Sequence, residues 1–234
     1  MNTSAEYYVR SLMLGYVEED YRAFNIRALA TVKPESVIGV RTPYLRVIAK
    51  EVFKSYFKNE FLSSLPHETY EENQIHGFLI ELEKDRDRVI NLLDDFLPYV
   101  DNWSTCDCVS PKVFKKNPPD IDLIHHWMSS EHTYTCRYGM GMLMRYYRDD
   151  LFSVSYLDDV AAVSSNEYYI NMMRAWFFAT ALAKQYEPTL PVFEEYVLDT
   201  WTHNKAIQKA KESFRVSEDH KKYLDSLRIK AEKQ

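Results

Sequence analysis

Apolar positions recur at helical spacing through most of the chain. In HETYEENQIHGFLIELEK, Tyr70, Ile75, Phe78, Leu79 and Leu82 form one stripe with the acids opposite. DRDRVINLLDDFLPYV repeats the pattern with Val89, Leu92, Leu93 and Phe96. RYGMGMLMRYY and NEYYINMMRAWFFATALAKQYE are longer and more apolar, which predicts helices buried on more than one side. No segment sustains strict alternation, so no sheet is predicted. Asp85, Asn166 and Ser217 read as N-caps, and acids follow Ser217 in the first turn. Thr42-Pro43 reads as a cap followed by a first-turn proline. The 9 prolines all sit beside polar turn residues, outside the amphipathic runs. KKNPPD, Lys115 to Asp120, is the clearest interruption.

Helices joined by short turns point to a helical repeat array or an irregular bundle. No clean repeat is visible, but a degenerate unit of about 35–45 residues is compatible with the pattern. Only 5 glycines in 234 residues reinforces the all-α reading, since antiparallel sheets use more of them at turns. The chain is long enough for a substantial core. No apolar run approaches the roughly 20 residues needed to span a bilayer. No secretory signal opens the sequence, and three cysteines, an odd number, fit free thiols in a reducing compartment. The expected location is the cytoplasm.

The net charge of −6 is unevenly spread. Residues 1–58 carry +3, residues 59–204 carry −13, and residues 205–234 carry +4. An acidic middle argues against a broad nucleic-acid surface but leaves room for a narrow basic face. Lys205, Lys209, Lys211, Lys221 and Lys222 read either as a basic patch for an anionic partner or as a solvated helix face.

Candidate chemistry centres on VDNWSTCDCVSP, Val100 to Pro111. Cys106 and Cys108 form a single C-x-C with no matching pair, so buried thiols are favoured over zinc ligands. No Gly-rich phosphate loop or nucleophile elbow occurs. Trp103 and Asp107, four apart, share one helix face. On composition alone Trp103 reads as core, and Asp107 as a carboxylate that needs a partner or a purpose. Arg137 opens an apolar helix and reads as an ion-pair partner, while Trp176 lies among Met172, Met173 and Phe177 and reads as core. The steps from Trp103 to Arg137 and on to Trp176, 34 and 39 residues, are near one helical-repeat unit. Equivalent positions of successive repeats line one concave surface, which gives these four residues a common location.

IGVRTPYLRVIAKE, Ile38 to Glu51, resembles the N-terminal signature of the bacterial DNA alkylation repair family, the AlkD-like glycosylases. Trp103 and Asp107 resemble its Trp-x-x-x-Asp pair, Arg137 its helix-opening arginine, and Trp176 the tryptophan after its aromatic-Ile run. HNKAIQKAKESFRVS resembles the family's ending, so the likeness spans residues 20 to 225. The resemblance implies a single domain over residues 1–234, an α-α superhelix of HEAT-like repeats acting as a monomer. It implies hydrolysis of the N-glycosidic bond of positively charged alkylated purines, of the 3-methyladenine and 7-methylguanine type, in double-stranded DNA during base excision repair. The resemblance implies no metal and no cofactor, and no membrane partner is expected. On that likeness Asp107, Trp103 and Trp176 are catalytic, and Arg137, Arg41, Thr42 and Arg46 bind DNA. The acidic charge departs from the family expectation. A non-catalytic binder of branched DNA and a HEAT-like protein scaffold are the alternatives.

Overall fold

The computed structural model describes residues 4–230. Among them are fourteen α-helices, short 3-10 turns and no strand; one isolated bridge joins Val17 and Val40. The chain divides into two compact units at Pro118/Pro119, inside the KKNPPD interruption.

The first unit contains α1 (Ala5–Met13), α2 (Glu19–Ala28), α3 (Thr42–Lys54), α4 (Lys58–Ser63), α5 (Tyr70–Leu82), α6 (Arg86–Phe96) and α7 (Trp103–Cys108). Its centre is α5, packed against α1, α3, α4, α6 and α7. The amphipathic reading of α5 needs correction, because every residue from Tyr70 to Glu81 is buried, acids included. Its acids satisfy the unit's interior polar groups. Glu72 pairs with Arg10 at 2.6 Å and closes a capping box with Thr69. Glu81 pairs with Arg46 at 2.6 Å and accepts from the Ser110 amide at 2.9 Å. Buried carboxylates survive only with such partners.

The second unit contains α8 (Ile121–Met128), α9 (Thr133–Tyr146), α10 (Ser155–Ala162), α11 (Tyr168–Lys184), α12 (Tyr186–Glu194), α13 (Thr200–Glu212) and α14 (Glu218–Ser226). Here α11 is central, packed against α9, α10, α12 and α13. A Cβ on Gly139 of α9 would sit 2.8 Å from the Met128 backbone nitrogen, so glycine permits the close approach of α8. Arg174 of α11 is buried and holds Asp199, the N-cap of α13, at 2.7 Å. Burial works to raise the Asp199 pKa, but the Thr202 amide and hydroxyl and Arg174 bring it below the ordinary value.

A repeat is visible within each unit. Tyr70 meets Ser104, and Gln74 meets Thr105, at separations of 34 and 31 residues. In the second unit Arg137 meets Tyr169, and Met144 meets Thr180, 32 and 36 residues apart. In α9 and α11 the contacting residues advance in the same direction, so these two helices run parallel, whereas Tyr70 and Gln74 of α5 both meet the first turn of α7. The spacing lies at or just below the lower end of the expected unit.

Helix boundaries follow local chemistry, with three corrections. Asp85 and Ser217 cap as expected, accepting from the Arg88 and His220 amides. Asn166 does not cap: α11 begins at Tyr168, and Asn171 bonds the Ser165 carbonyl instead. Thr42 is the first helical residue of α3, and the cap position falls to Arg41. Pro191 lies inside α12, a nine-residue helix that ends three residues later. The proline therefore costs a single ladder bond near a terminus.

Candidate nucleic-acid interface

Helix α7 is short, and its orientation comes from its flank. The buried Asn102 side chain accepts from the Thr105 amide at 2.8 Å and donates to the Thr105 hydroxyl at 3.0 Å. Gln74 of α5 donates to that hydroxyl at 3.1 Å, and Tyr70 bonds Ser104 at 2.9 Å. Thr105 and Cys106 thus face the interior. Helical spacing then turns Trp103 and Asp107 to another face. Trp103 is 37% exposed, and its indole donates to the Ala28 carbonyl at 3.4 Å. Asp107 is half-buried. The composition-based expectation that Trp103 is core is therefore overturned: polar anchoring of α7 to α5 leaves the indole outside. Cys106 and Cys136 are buried free thiols and Cys108 is half-buried. Burial pushes the Cys136 thiol up to about 11, which makes it unreactive.

The Ile38–Glu51 segment owes its shape to Glu71. That buried carboxylate accepts from the amides of Ile38 (2.9 Å), Gly39 (2.7 Å) and Val40 (3.3 Å). Burial raises the Glu71 pKa against the pull of these amides. Gly39 takes φ +101°, and a Cβ there would lie 2.6 Å from the Arg22 Cβ. The loop delivers Arg41 and half-buried Thr42 to the start of α3. Arg41 binds Glu18 with 2.9 Å contacts and lies 4.6 Å over the Tyr21 ring. Arg46 pairs with Glu81 and lies 3.9 Å over the Phe78 ring. Both arginines thus already have carboxylate partners, while their side chains remain 48% and 43% exposed.

In the second unit, Arg137 is buried at 3% exposure, with one terminal nitrogen donating to the Tyr169 carbonyl at 2.7 Å. It is fixed by its own helix layer, which leaves little surface for a phosphate. Trp176 contradicts its composition-based reading: it is 43% exposed, although α11 is otherwise largely interior. It forms one wall of a pocket of about 210 Å³ shared with Thr180, Lys209, Glu212, Ser213 and Arg215. Sequence reasoning assigned no role to Phe214 or Arg215; neither belongs to a helical stripe that would have marked it. Trp127, by contrast, is core at 1% exposure.

An all-α chain of packed helices, with a Trp-x-x-x-Asp turn whose tryptophan is exposed, is the class that fold and site define. The model of the DNA alkylation repair enzyme family matches residues 18–168, well over half of the chain. The protein belongs to that family. The match includes the Ile38–Glu51 segment, Trp103, Asp107 and Arg137, and ends before Trp176. No curated protein and no solved structure matches the chain. Among the described residues, no helix is long and apolar enough to cross a membrane.

Proposed function

We propose that this family member is a DNA glycosylase hydrolysing the N-glycosidic bond of positively charged alkylated purines in double-stranded DNA. The observation that carries this reading is the exposed Trp103 and half-buried Asp107 on one turn of α7, inside the family match. A cationic base leaves with the bonding electrons and becomes neutral, so no acid is needed to protonate it. The sugar acquires oxocarbenium character as the bond breaks. The Asp107 carboxylate stabilises that charge and orients the water that adds to C1′, whose proton passes to solvent. Trp103 and Trp176 present electron-rich faces to the developing cation. Arg41, Thr42 and Arg46 add backbone contacts, while Arg137, assigned to a phosphate by the family likeness, must first turn out of its buried position to reach one. In this reading the chain is one monomeric HEAT-like domain that acts without metal or cofactor, in base excision repair in the cytoplasm.

The test is release of 3-methyladenine and 7-methylguanine from methylated duplex, comparing wild type with Asp107→Asn. The expected loss is about 100-fold or more, with duplex binding retained. No release by wild type at low salt would sink the enzyme reading. The excess of acids in residues 59–204 favours a second reading, a non-catalytic DNA binder. Binding without release would select it, and absence of DNA binding would select a protein scaffold.

A further inference from the structure

The α11–α13 pair carries a surface of which the chemistry above uses only Trp176. On α13, Trp201, Lys205 and Lys209 follow at four-residue steps and lie on one face. On α11, Tyr168 and Trp176 are eight residues apart. The Tyr168 ring contacts the Trp201 ring at 5.7 Å, while Trp176 shares its pocket with Lys209. Both pairs are 33 residues apart, so the two faces lie side by side in register. The stripe extends about 12 Å along the helices, or roughly two nucleotide steps of an extended strand. Tyr168, Trp176 and Trp201 are all exposed.

At the Trp176 end the chain leaves α13 through Ser213–Val216, and Phe214 stands completely exposed between the pocket residues Ser213 and Arg215. A single exposed apolar side chain is ordinary on a protein surface, so Phe214 counts here only together with the aromatic wall and the cations beside it. The cations beside it differ from their neighbours. Lys211, Lys221 and Lys222 are ion-paired with Asp225, Glu218 and Asp219. Lys205 is bonded to Gln208. Among the described residues, Lys209 and Arg215 make no ion pair. Glu212 is the acid of the pocket, and it accepts from Gln208 at 3.1 Å.

We infer that the pocket formed by Trp176, Lys209 and Arg215, with Phe214 at its rim, is a strand-binding subsite for DNA. Lys209 and Arg215 take phosphate oxygens on either side of a nucleotide whose sugar packs on Trp176. Phe214 enters the groove as an apolar wedge or stacks on a base edge. Two unpaired cations beside an aromatic wall and a solvent-facing phenyl ring match an anionic, aromatic polymer; an acidic protein surface would leave Phe214 unused. The subsite rests on the DNA-repair reading and adds residues beyond the family match.

The test is titration of a fluorescein-labelled duplex, with and without methylated purines, by wild type, Lys209→Ala, Arg215→Ala, Phe214→Ala and Glu212→Gln between 50 and 200 mM salt, values set at about the range where phosphate contacts dominate. Each lysine or arginine variant is expected to weaken binding about 3–10-fold at low salt and to reduce the log–log salt slope by about 0.9, the value for one phosphate. Phe214→Ala should weaken binding with the slope unchanged, and Glu212→Gln should tighten it. The substituted side chains lie at the surface or pocket rim, so unchanged thermal midpoints verify folding. Variants that bind like wild type, while wild type releases bases, would overturn the subsite and leave the glycosylase standing. The expected slopes without base release would overturn the glycosylase and leave the subsite standing. No DNA binding by wild type at low salt would overturn both.

Discussion

The glutamate at position 71 shows how one side chain can shape a neighbouring segment through its backbone amides. Its carboxylate collects three backbone amides of the Ile38–Val40 loop, and Gly39 supplies the left-handed turn that aims them. Glu71→Ala would strand those donors, and the expected cost is about 2–4 kcal/mol, read from the midpoint of urea unfolding. Gly39→Ala must adopt an unfavourable φ and push against Arg22, with an expected loss of at least about 1–3 kcal/mol by the same measurement. Sequence periodicity could not show either effect. A glutamate on a helix reads as solvated until the neighbouring loop that needs its oxygens is known. The two tryptophans were misjudged by composition for a related reason. An indole is apolar enough to be core, and only the anchoring of Asn102 and Thr105 to α5 reveals that Trp103 turns outward. Both indoles are exposed, as a DNA-facing surface needs, whereas Arg137 of the same pattern of four is buried.

At the scale of elements, α4, α5 and α6 meet around two histidines. His67 Nε2 lies 2.8 Å from His76 Nδ1, Phe61 stacks on His67, and Phe96 stacks on His76. Burial drives the His67 pKa down to about 4 and that of His76 well below the usual range. In the unfolded chain both titrate near about 6.5. Below that pH the unfolded state takes up protons that the folded state refuses, so stability is complete above about pH 6.5 and declines as pH falls toward about 4. His67 alone contributes a decline of up to about 3 kcal/mol. The expected result is a fall in urea midpoint between neutral pH and the folded-state pKa, made shallower by His67→Phe; a pH-independent midpoint would contradict it. The helices themselves were legible because periodicity is a local signal. Their exact starts were less so: Asn166 has cap chemistry, yet its neighbour Asn171 anchors the Ser165 carbonyl, and the helix begins two residues later.

At the scale of the molecule, the KKNPPD interruption was readable, since two adjacent prolines stop any helix, but the expectation was one domain over residues 1–234 and the division into two compact units there was not foreseen. The repeat was readable only as a spacing, because its register rests on contacts such as Tyr70–Ser104 that no local pattern encodes. The charge map needs the fold as well. Of the acids in residues 59–204, Glu71, Glu72 and Glu81 are interior, and the last two pair with arginines of the basic N-terminal segment. Surface potential is therefore less segregated than the sequence implies. With a net charge of −6, unmodified duplex should bind weakly at physiological salt and recover as salt is lowered. A gel-shift series in salt checks this, and tight binding that ignores salt would contradict it.

Three of the four indoles face water and one, Trp127, is sealed beside Tyr138. The protein therefore carries two optical populations. Trp103, Trp176 and Trp201 should emit at the red edge and yield to iodide, whereas Trp127 should emit further to the blue and resist it. A strand bound along α11 and α13 would shield Trp176 and Trp201 and leave Trp127 untouched. Unfolding would expose all four. A single cuvette can thus separate occupancy from loss of structure without any label.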